Sequence, residues 1–317
     1  MKKLLFLGCN FDQIPYMKIA REKGYYIIGT DLNQKAPGVS YVDKYYQVSY
    51  EDVLSLIDIG NDEDFSSSDN VFTASSQFAY IGASNFARYF NIPFISPDVV
   101  DLCLDKNKFY PYFTKYGLDV PDWIALENVY QNGVFKELHE KWSSLYLKSD
   151  YGKSPNYCYK IRDCMIPDIP KEYDRYYRKF FVAQKEIMGN HFRIDWIDND
   201  LFSFFKISDR SAIPMCFIDI TGEIYTKMTS LIDSLGLQNH LIKFDVIYTN
   251  NNCYFIDIGL EPPMRLRLYL QYLGYDFERL YFEHIVEGKL SYPKSSELPR
   301  NILIKKDEAK SIEDEIK

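Results

Sequence analysis

A lysine stands at the end of an apolar run near the middle of the chain. Residues 145–147 are apolar or aromatic, as in a buried strand, and Lys148 follows them directly. An ammonium group in such a strand must find an anion or shift its pKa. The next turn contains Gly152, Lys153 and Ser154, and a loop of this kind can cover phosphate oxygens with backbone N–H groups. We therefore predict that Lys148 contacts a phosphate group; the alternative is a lysine that extends to solvent from a surface strand.

Two aspartates occur in apolar strands that are close together in the sequence. Asp245 lies within residues 242–248 and Asp257 within residues 253–258, and the asparagines between these segments predict a hairpin. Two carboxylates on one face of a hairpin repel each other unless a cation lies between them. Magnesium prefers one or two carboxylates together with phosphate oxygens. The pattern predicts that Asp245 and Asp257 hold Mg²⁺; the alternative is a pair of exposed hairpin residues.

A further strand could bind a nucleotide base. Residues 181–187 are mostly apolar, and the strand that they predict breaks at Gly189. The backbone N–H and C=O groups of residues 184–187 could bind adenine in the way that a neighbouring strand would be bound. Together with Lys148 and the two aspartates, this segment favours a site for a nucleoside triphosphate.

The elements before these motifs predict a parallel α/β region. Residues 4–7 form a continuous apolar run, as in a strand buried on both faces, and a tight turn and a helix over residues 14–23 follow. Residues 25–30 form a second strand, with Asp31 at its carboxyl end, where open parallel sheets bind ligands. We therefore predict a Rossmann-like parallel sheet lobe over residues 1–97.

The remainder of the chain predicts a mixed arrangement of strands and helices. Its first part, residues 98–188, contains a helix over 99–116, a connector at 121–124 and the strands of a small sheet. Its second part, residues 189–290, contains two hairpins and helices. Residues 291–317 are rich in charge and are predicted to be a partly disordered tail.

Composition excludes several classes of protein. The chain has 37 Lys and Arg against 45 Asp and Glu, a formal net charge of −8, so nucleic acid is not an expected partner. No apolar stretch approaches the roughly 20 residues of a membrane span, and no secretory signal is predicted. The cysteines form no C-x-x-C pair, and the histidines have no zinc spacing. These features predict a cytoplasmic protein.

The order and spacing of these motifs resemble the ATP-grasp superfamily. This superfamily includes the large-subunit halves of carbamoyl phosphate synthase, the ATPase subunit of phosphoribosylaminoimidazole carboxylase, biotin carboxylase and D-alanine–D-alanine ligase. The resemblance covers roughly residues 3–290 and includes Asp105 and Lys106, with Gly117 and Pro121 after them. It implies an α/β fold in which the Rossmann-like lobe precedes a two-lobed α+β unit with a small lid sheet.

The resemblance also implies an activity and a role for each motif. The activity is that of a carboxylate–amine or carboxylate–thiol ligase that uses ATP and Mg²⁺ and acts on a small-molecule carboxylate and an amine. A homodimer is a further expectation from the superfamily. The implied roles are phosphate contact by Lys106 and Lys148, a lid loop at Gly152, Lys153 and Ser154, an adenine hinge at Gln184, Lys185, Glu186 and Ile187, magnesium binding by Asp245 and Asp257, and stabilisation of an anionic intermediate by Arg265 or Arg267.

Two positions depart from the pattern of the superfamily. His191 stands where relatives usually carry an acidic residue that binds ribose, and it could contact the ribose instead. Gly259 stands where relatives often carry an asparagine after the second metal-binding carboxylate. These departures motivate an alternative, a nucleotide-binding module with weak or lost catalysis. A second alternative is a nicotinamide-dependent enzyme that uses the first lobe, although the first turn lacks the G-x-G-x-x-G pattern.

Overall fold

The structure is a computed structural model. It describes most of the chain, namely residues 1–127, 133–151, 158–162, 181–205, 212–215, 220, 222–250, 252–300 and 302–305.

The first lobe is built on a parallel sheet with strand order β3-β2-β1-β4. Its strands are β1 (Lys3–Leu7), β2 (Tyr26–Thr30), β3 (Lys44–Tyr46) and β4 (Asn70–Phe72). The helices of this lobe are α1 (Ile14–Glu22), α2 (Val53–Asp62) and α3 (Ala79–Phe90). The apolar residues of β1 are buried against side chains on both faces, as a central parallel strand requires. The predicted Rossmann-like lobe is confirmed.

A break at Asp105 divides the segment that was predicted as one helix over 99–116. The structure has two helices, α4 (Pro97–Leu104) and α5 (Lys106–Lys115). Asp105 has extended backbone angles, and its carboxylate accepts a hydrogen bond from the Asn107 N–H at 2.9 Å. An aspartate in this geometry is a good N-cap, so it starts a new helix rather than continuing the old one. The break places Lys106 in the first turn of α5.

A small antiparallel sheet of order β5-β8-β6-β7 follows. Its elements are β5 (Trp123–Leu126), helix α6 (Val134–Trp142), β6 (Leu145–Ser149), β7 (Cys158–Ile161) and β8 (Phe181–Lys185). The predicted small sheet is confirmed, but the connector predicted at residues 121–124 was wrong. Residues from Trp123 onward pair with β8, because their alternating apolar side chains cover one edge of the sheet.

A second antiparallel sheet has the order β10-β9-β12-β13. Its strands are β9 (Asn190–Ile197), β10 (Asp200–Phe205), β12 (Ile242–Tyr248) and β13 (Cys253–Gly259). The predicted hairpin between β12 and β13 is confirmed, and Asp245 is the direct partner of Asp257. A register shift follows Asp245, as in a β-bulge. This sheet therefore carries the two aspartates side by side.

Three helices accompany this sheet, and the last of them returns to the first lobe. They are α7 (Gly222–Ser234), α8 (Met264–Tyr272) and α9 (Phe277–Glu287). Tyr281 of α9 lies in one buried cluster with Phe72 of β4, and its hydroxyl is 2.7 Å from that of Tyr80. This packing holds α8 beside the carboxyl ends of the first sheet.

Part of the segment after residue 290, which was predicted to be partly disordered, has regular structure. A short 3-10 helix spans Ser295–Glu297, and strand β14 (Ile302–Lys305) pairs with β11 (Ala212–Met215). Backbone hydrogen bonds to a second strand therefore hold part of the charged tail. Residues 306–317 lie outside the described residues. Among the described residues, no helix has the length and apolar character needed to cross a membrane.

Candidate functional site

The two sheets of the second half face each other across a cavity of about 440 Å³, the large cavity. It brings together seven of the residues that sequence analysis assigned to the site, namely Lys106, Lys148, Gln184, Ile187, His191, Asp245 and Asp257. These residues come from α5, β6, β8, β9, β12 and β13 and the turn before β9. Segments separated by 151 residues thus converge on one space, since Lys106 and Asp257 both line it.

Lys148 lies at the small-sheet wall of the large cavity. Its side chain is buried, and Nζ donates to Gln184 Oε1 at 2.7 Å. The Tyr110 hydroxyl donates to the same oxygen at 2.8 Å. Burial lowers the pKa of Lys148, and the Lys106 charge lowers it further. No carboxylate in the described part of the chain bonds directly to this buried ammonium group, and its charge therefore favours an anionic ligand in the cavity.

Lys106 lies on the opposite side, at the start of α5. It is almost completely buried, and Nζ is 3.9 Å from Asp257 Oδ1. This distance is longer than a hydrogen bond, and the Asp257 side chain remains 27% exposed. Asp257 therefore still faces the cavity and can bind a further cation.

Arg193 of β9 is a central residue that the sequence analysis missed. It forks onto Asp245, with Nε to Oδ1 at 2.7 Å and Nη2 to Oδ2 at 2.9 Å. Burial would lower the pKa of Arg193, but Asp245 and Asp195 outweigh this effect and raise it. Asp245 thus already has a bidentate cationic partner, which the predicted magnesium role did not include.

Asp195 follows Arg193 on the same face of β9, and it was also missed. Its side chain is fully buried, and neither carboxylate oxygen has a hydrogen-bond partner among the described residues. Burial raises the pKa of Asp195 to about 7, although Arg193 and Lys243 oppose the shift. The available signal was the alternation of charged residues 193 and 195 with apolar residues 192, 194 and 196.

The predicted adenine hinge divides between two faces. Gln184 and Ile187 line the large cavity, whereas Lys185 and Glu186 do not. Lys185 pairs with Asp122 at 3.2 Å, and Glu186 accepts hydrogen bonds from Ser144 and Lys160. Successive strand residues point to opposite faces, which explains why the side chains of Gln184 and Lys185 lie on different sides of the sheet. The predicted contact with adenine is made by backbone groups of residues 184–187, and it remains a prediction. The predicted lid-loop residues Gly152, Lys153 and Ser154 lie outside the described residues.

A second space, the interlobe cavity of about 260 Å³, lies where α8 meets the first lobe. Arg267 lines it, together with Asp12, Tyr16, Ser75 and others. Arg267 Nε donates to Glu278 Oε1 at 2.6 Å, so the guanidinium is held in place from behind.

Arg265, the other candidate for the anionic intermediate, lines neither cavity. Its Nη1 donates to the Phe205 carbonyl at 3.0 Å. Burial and the nearby Arg193 charge lower the pKa of Arg265. Of the two candidates, Arg267 is the one that lines a cavity formed by the described residues.

A small cavity of about 50 Å³ shares lining residues with each of these two spaces. Arg193, Asp245 and Asp257 line both it and the large cavity, whereas Arg193, Lys243 and Glu261 line both it and the interlobe cavity. Arg193 therefore touches all three spaces. A group bound in the large cavity and a second molecule in the interlobe cavity would meet at this point.

The carboxylates fit magnesium in part. Among the described residues, no group of three or more His, Cys, Asp or Glu side chains could hold a metal ion by itself. Asp257 offers a partly exposed carboxylate, and Asp245 lies beside it with both oxygens on Arg193. Magnesium commonly uses one or two carboxylates and completes its shell with phosphate and water oxygens. The site thus fits Mg²⁺ that arrives with a phosphate ligand.

Comparisons with known proteins give no match by sequence but several by structure. No protein-family model matches the chain, and no curated protein sequence matches it. The Bacillus licheniformis L-amino acid ligase is 18% identical with a TM-score of 0.66, over 94% of this chain and 76% of that chain. The ADP complex of Staphylococcus aureus N5-carboxyaminoimidazole synthetase is 14% identical with a TM-score of 0.68, over 92% and 79%.

A third solved structure is the biotin carboxylase domain of Hydrogenobacter thermophilus 2-oxoglutarate carboxylase, in complex with MgADP, ADP and bicarbonate. It is 13% identical with a TM-score of 0.72, over 95% of this chain and 73% of that chain. Identities this low establish a shared fold, and the similarity extends over nearly the whole chain. The chain therefore has the ATP-grasp fold, as the sequence resemblance predicted.

Proposed function

We propose that this protein is an ATP- and Mg²⁺-dependent ligase that activates a small-molecule carboxylate as an acyl phosphate for attack by an amine or a thiol. One observation carries the proposal: two buried lysines and two aspartates from distant segments line the same cavity of about 440 Å³. A triphosphate with a bound cation matches this combination of charges, because its oxygens suit the lysines and its metal ion suits the carboxylates.

The nucleotide would lie in the large cavity. Lys106 and Lys148 would contact its phosphates, and Gly152, Lys153 and Ser154 would cover them as a lid. The Lys185 and Glu186 N–H groups already donate to Asp122 and Ser144 carbonyls. We therefore place adenine recognition near Gln184 and Ile187, with His191 at the ribose.

Asp257, with Asp245 beside it, would hold Mg²⁺. When bound, the ion would supply charge neutralisation for the phosphates. The protein itself positions the nucleotide, excludes water and aligns the acceptor, which are its main tasks in phosphoryl transfer.

The carboxylate substrate would lie in the interlobe cavity. Its oxygen would attack the γ-phosphorus, and the bond to the β-phosphate oxygen would break, giving ADP and an acyl phosphate. The amine or thiol would then attack the carbonyl carbon, release inorganic phosphate and lose one proton. Arg193 lines both the small cavity and the interlobe cavity, and Arg267 lines the interlobe cavity. From these positions the two arginines would stabilise the negative charge that develops on the reacting carboxylate and phosphate groups. Arg265, which lines neither cavity, would influence the site through its charge near Arg193.

One observation favours the alternative of a nucleotide-binding module without turnover. Arg193 engages both oxygens of Asp245, and this contact reduces the capacity of Asp245 to bind a metal. The nicotinamide alternative is weaker. The Gly38 N–H donates to the Cys9 carbonyl at 2.8 Å, so another loop lies against the turn where a dinucleotide pyrophosphate would bind.

The test is a screen that follows ADP release with a panel of small carboxylates, each with and without amine or thiol acceptors. We expect ADP release that depends on both substrates, and its loss in Asp257→Asn. Thermal melting with ATP and Mg²⁺, compared with NAD, measures binding independently of turnover. Nucleotide binding without substrate-stimulated ADP release would favour the module, and stabilisation by NAD alone would contradict both readings.

A further inference from the structure

Gly259 lies two residues after Asp257, and the side chain of Lys243 covers it. A Cβ atom built at position 259 would lie 2.1 Å from Lys243 Cε and 2.9 Å from Glu261 Oε2. Real side chains do not approach so closely, so any residue larger than glycine would have to displace the lysine. The Lys243 side chain therefore fills the space that a side chain at position 259 would need.

Lys243 forms an ion pair with Glu261 in this space. The two side chains are only 14% and 8% exposed. Both line the small cavity, together with Asp245 and Asp257, and both also line the interlobe cavity. The ammonium group therefore lies at the junction where the nucleotide and the acceptor would meet.

Each carboxylate around the small cavity has a cationic side chain beside it. Arg193 forks onto Asp245, and Lys243 pairs with Glu261. Asp257 differs, because Lys106 Nζ is 3.9 Å away and the Asp257 side chain is 27% exposed. Side-chain cations thus neutralise two of the three carboxylates directly, and the third retains access to the cavity.

We propose that Lys243 supplies the positive charge at the Glu261 side of the site, so that the nucleotide complex takes up one divalent ion, at Asp257, rather than two. This inference rests on the proposed function, since it concerns the metal content of the nucleotide complex. A side chain at position 259 would require the Lys243 side chain to move from its place beside Glu261.

The test counts Mn²⁺ ions bound to the full-length protein saturated with AMP-PNP, using electron paramagnetic resonance of free Mn²⁺. We expect one ion per chain for the unaltered protein. Two ions per chain would overturn the inference and leave the proposed function intact. Failure to bind AMP-PNP at all would remove the proposed function and the inference with it.

A paired variant tests the role of Lys243 itself. Lys243→Ala with Gly259→Asn removes the ammonium group and the carbon chain that fills the space at position 259, and it adds an amide oxygen there, so a second Mn²⁺ should bind. A folded double variant that still binds a single ion would contradict the inference. The control is Lys44→Met, which breaks the surface ion pair with Glu63 and lines none of the three cavities; it should still bind one ion.

Gly259→Ala provides a second route if the double variant does not fold. It keeps every charge but forces Lys243 away from its position. We expect AMP-PNP affinity at saturating Mn²⁺ to fall about tenfold, since a charged contact at the site is displaced. Unchanged affinity would contradict the assignment of Lys243 to this site.

Discussion

The parallel sheet of the first lobe and the hairpin sheet of the second half use their faces differently. Strand β1 buries apolar side chains on both faces. Strands β9 and β12 bury apolar residues such as Ile194 and Phe244 on one face, but carry Arg193, Asp195, Lys243 and Asp245 on the other.

This difference indicates that the first sheet mainly stabilises the fold, whereas the charged face of the second sheet mainly binds ligands. Buried charges rarely add net stability, because the cost of removing them from water offsets their mutual attraction. A sheet that retains them on one whole face is therefore better explained by ligand binding than by stability. Substitutions in the first sheet should lower stability by removing packed apolar groups. Substitutions on the charged face should change activity or the pH dependence of stability, and they should lower stability only where they leave a buried charge without its partner.

The largest expected effect is on activity. Asp257→Asn should reduce ADP formation by roughly 10³-fold, because it weakens the most exposed of the three described carboxylates around the small cavity. The free energy of unfolding should change by less than about 0.5 kcal/mol, since the side chain is partly exposed. Steady-state kinetics and urea unfolding measure the two effects. The control Asp98→Asn removes an exposed carboxylate that pairs with Arg88. A large loss of stability with intact activity would break the comparison.

The next effect is on the first sheet. Phe6→Ala removes a fully buried ring from the core and should lower the free energy of unfolding by about 3.5 kcal/mol. The effect should be nearly independent of pH, because no titrating group is involved. Urea unfolding at pH 5 and pH 8 checks both statements, and a loss that varies strongly between these pH values would count against the proposed division.

A somewhat smaller effect is expected for Arg193→Met. The substitution leaves Asp245 without its bidentate partner and should cost about 3 kcal/mol of stability. Arg21→Met, which breaks an exposed pair with Asp43, should cost no more than about 1 kcal/mol. If urea unfolding shows that both substitutions lower the free energy of unfolding equally, burial does not strengthen the contribution of the Arg193–Asp245 pair to stability.

The smallest effect concerns pH. The pKa of Asp195 is raised to about 7, above its ordinary value of 3.8, so the folded state retains a proton that the unfolded state loses. Its contribution is therefore fully present below the ordinary value and declines as pH rises toward 7. Asp195→Asn should reduce the loss of stability between pH 4 and pH 7 by about 2 kcal/mol. Identical pH profiles for variant and unaltered protein would show that Asp195 stays ionised.

Much of the fold could be predicted from local pattern. The apolar run of β1 and the hairpin of β12 and β13 were recognisable because strand period and turn residues are local properties. Strand β5 was missed, since a four-residue edge strand is defined by its partner β8 rather than by its own sequence. The break at Asp105 was missed because capping depends on backbone geometry that periodicity does not report.

The site was predicted less completely than the fold. Lys106, Lys148, Asp245 and Asp257 line one cavity in the structure, and the roles assigned to them remain predictions. Arg193 was missed, although its alternation with apolar neighbours marked it as pointing to a single face.

The sequence by itself determined the strands, the turns and the insertion of charged residues into apolar segments. Only the tertiary structure decided which polar side chains meet: Lys148 with Gln184, Arg193 with Asp245, and Lys243 with Glu261. The physical reason is distance. Coulomb energies and hydrogen bonds depend on separation through space, which local sequence patterns do not specify for residues that lie far apart along the chain.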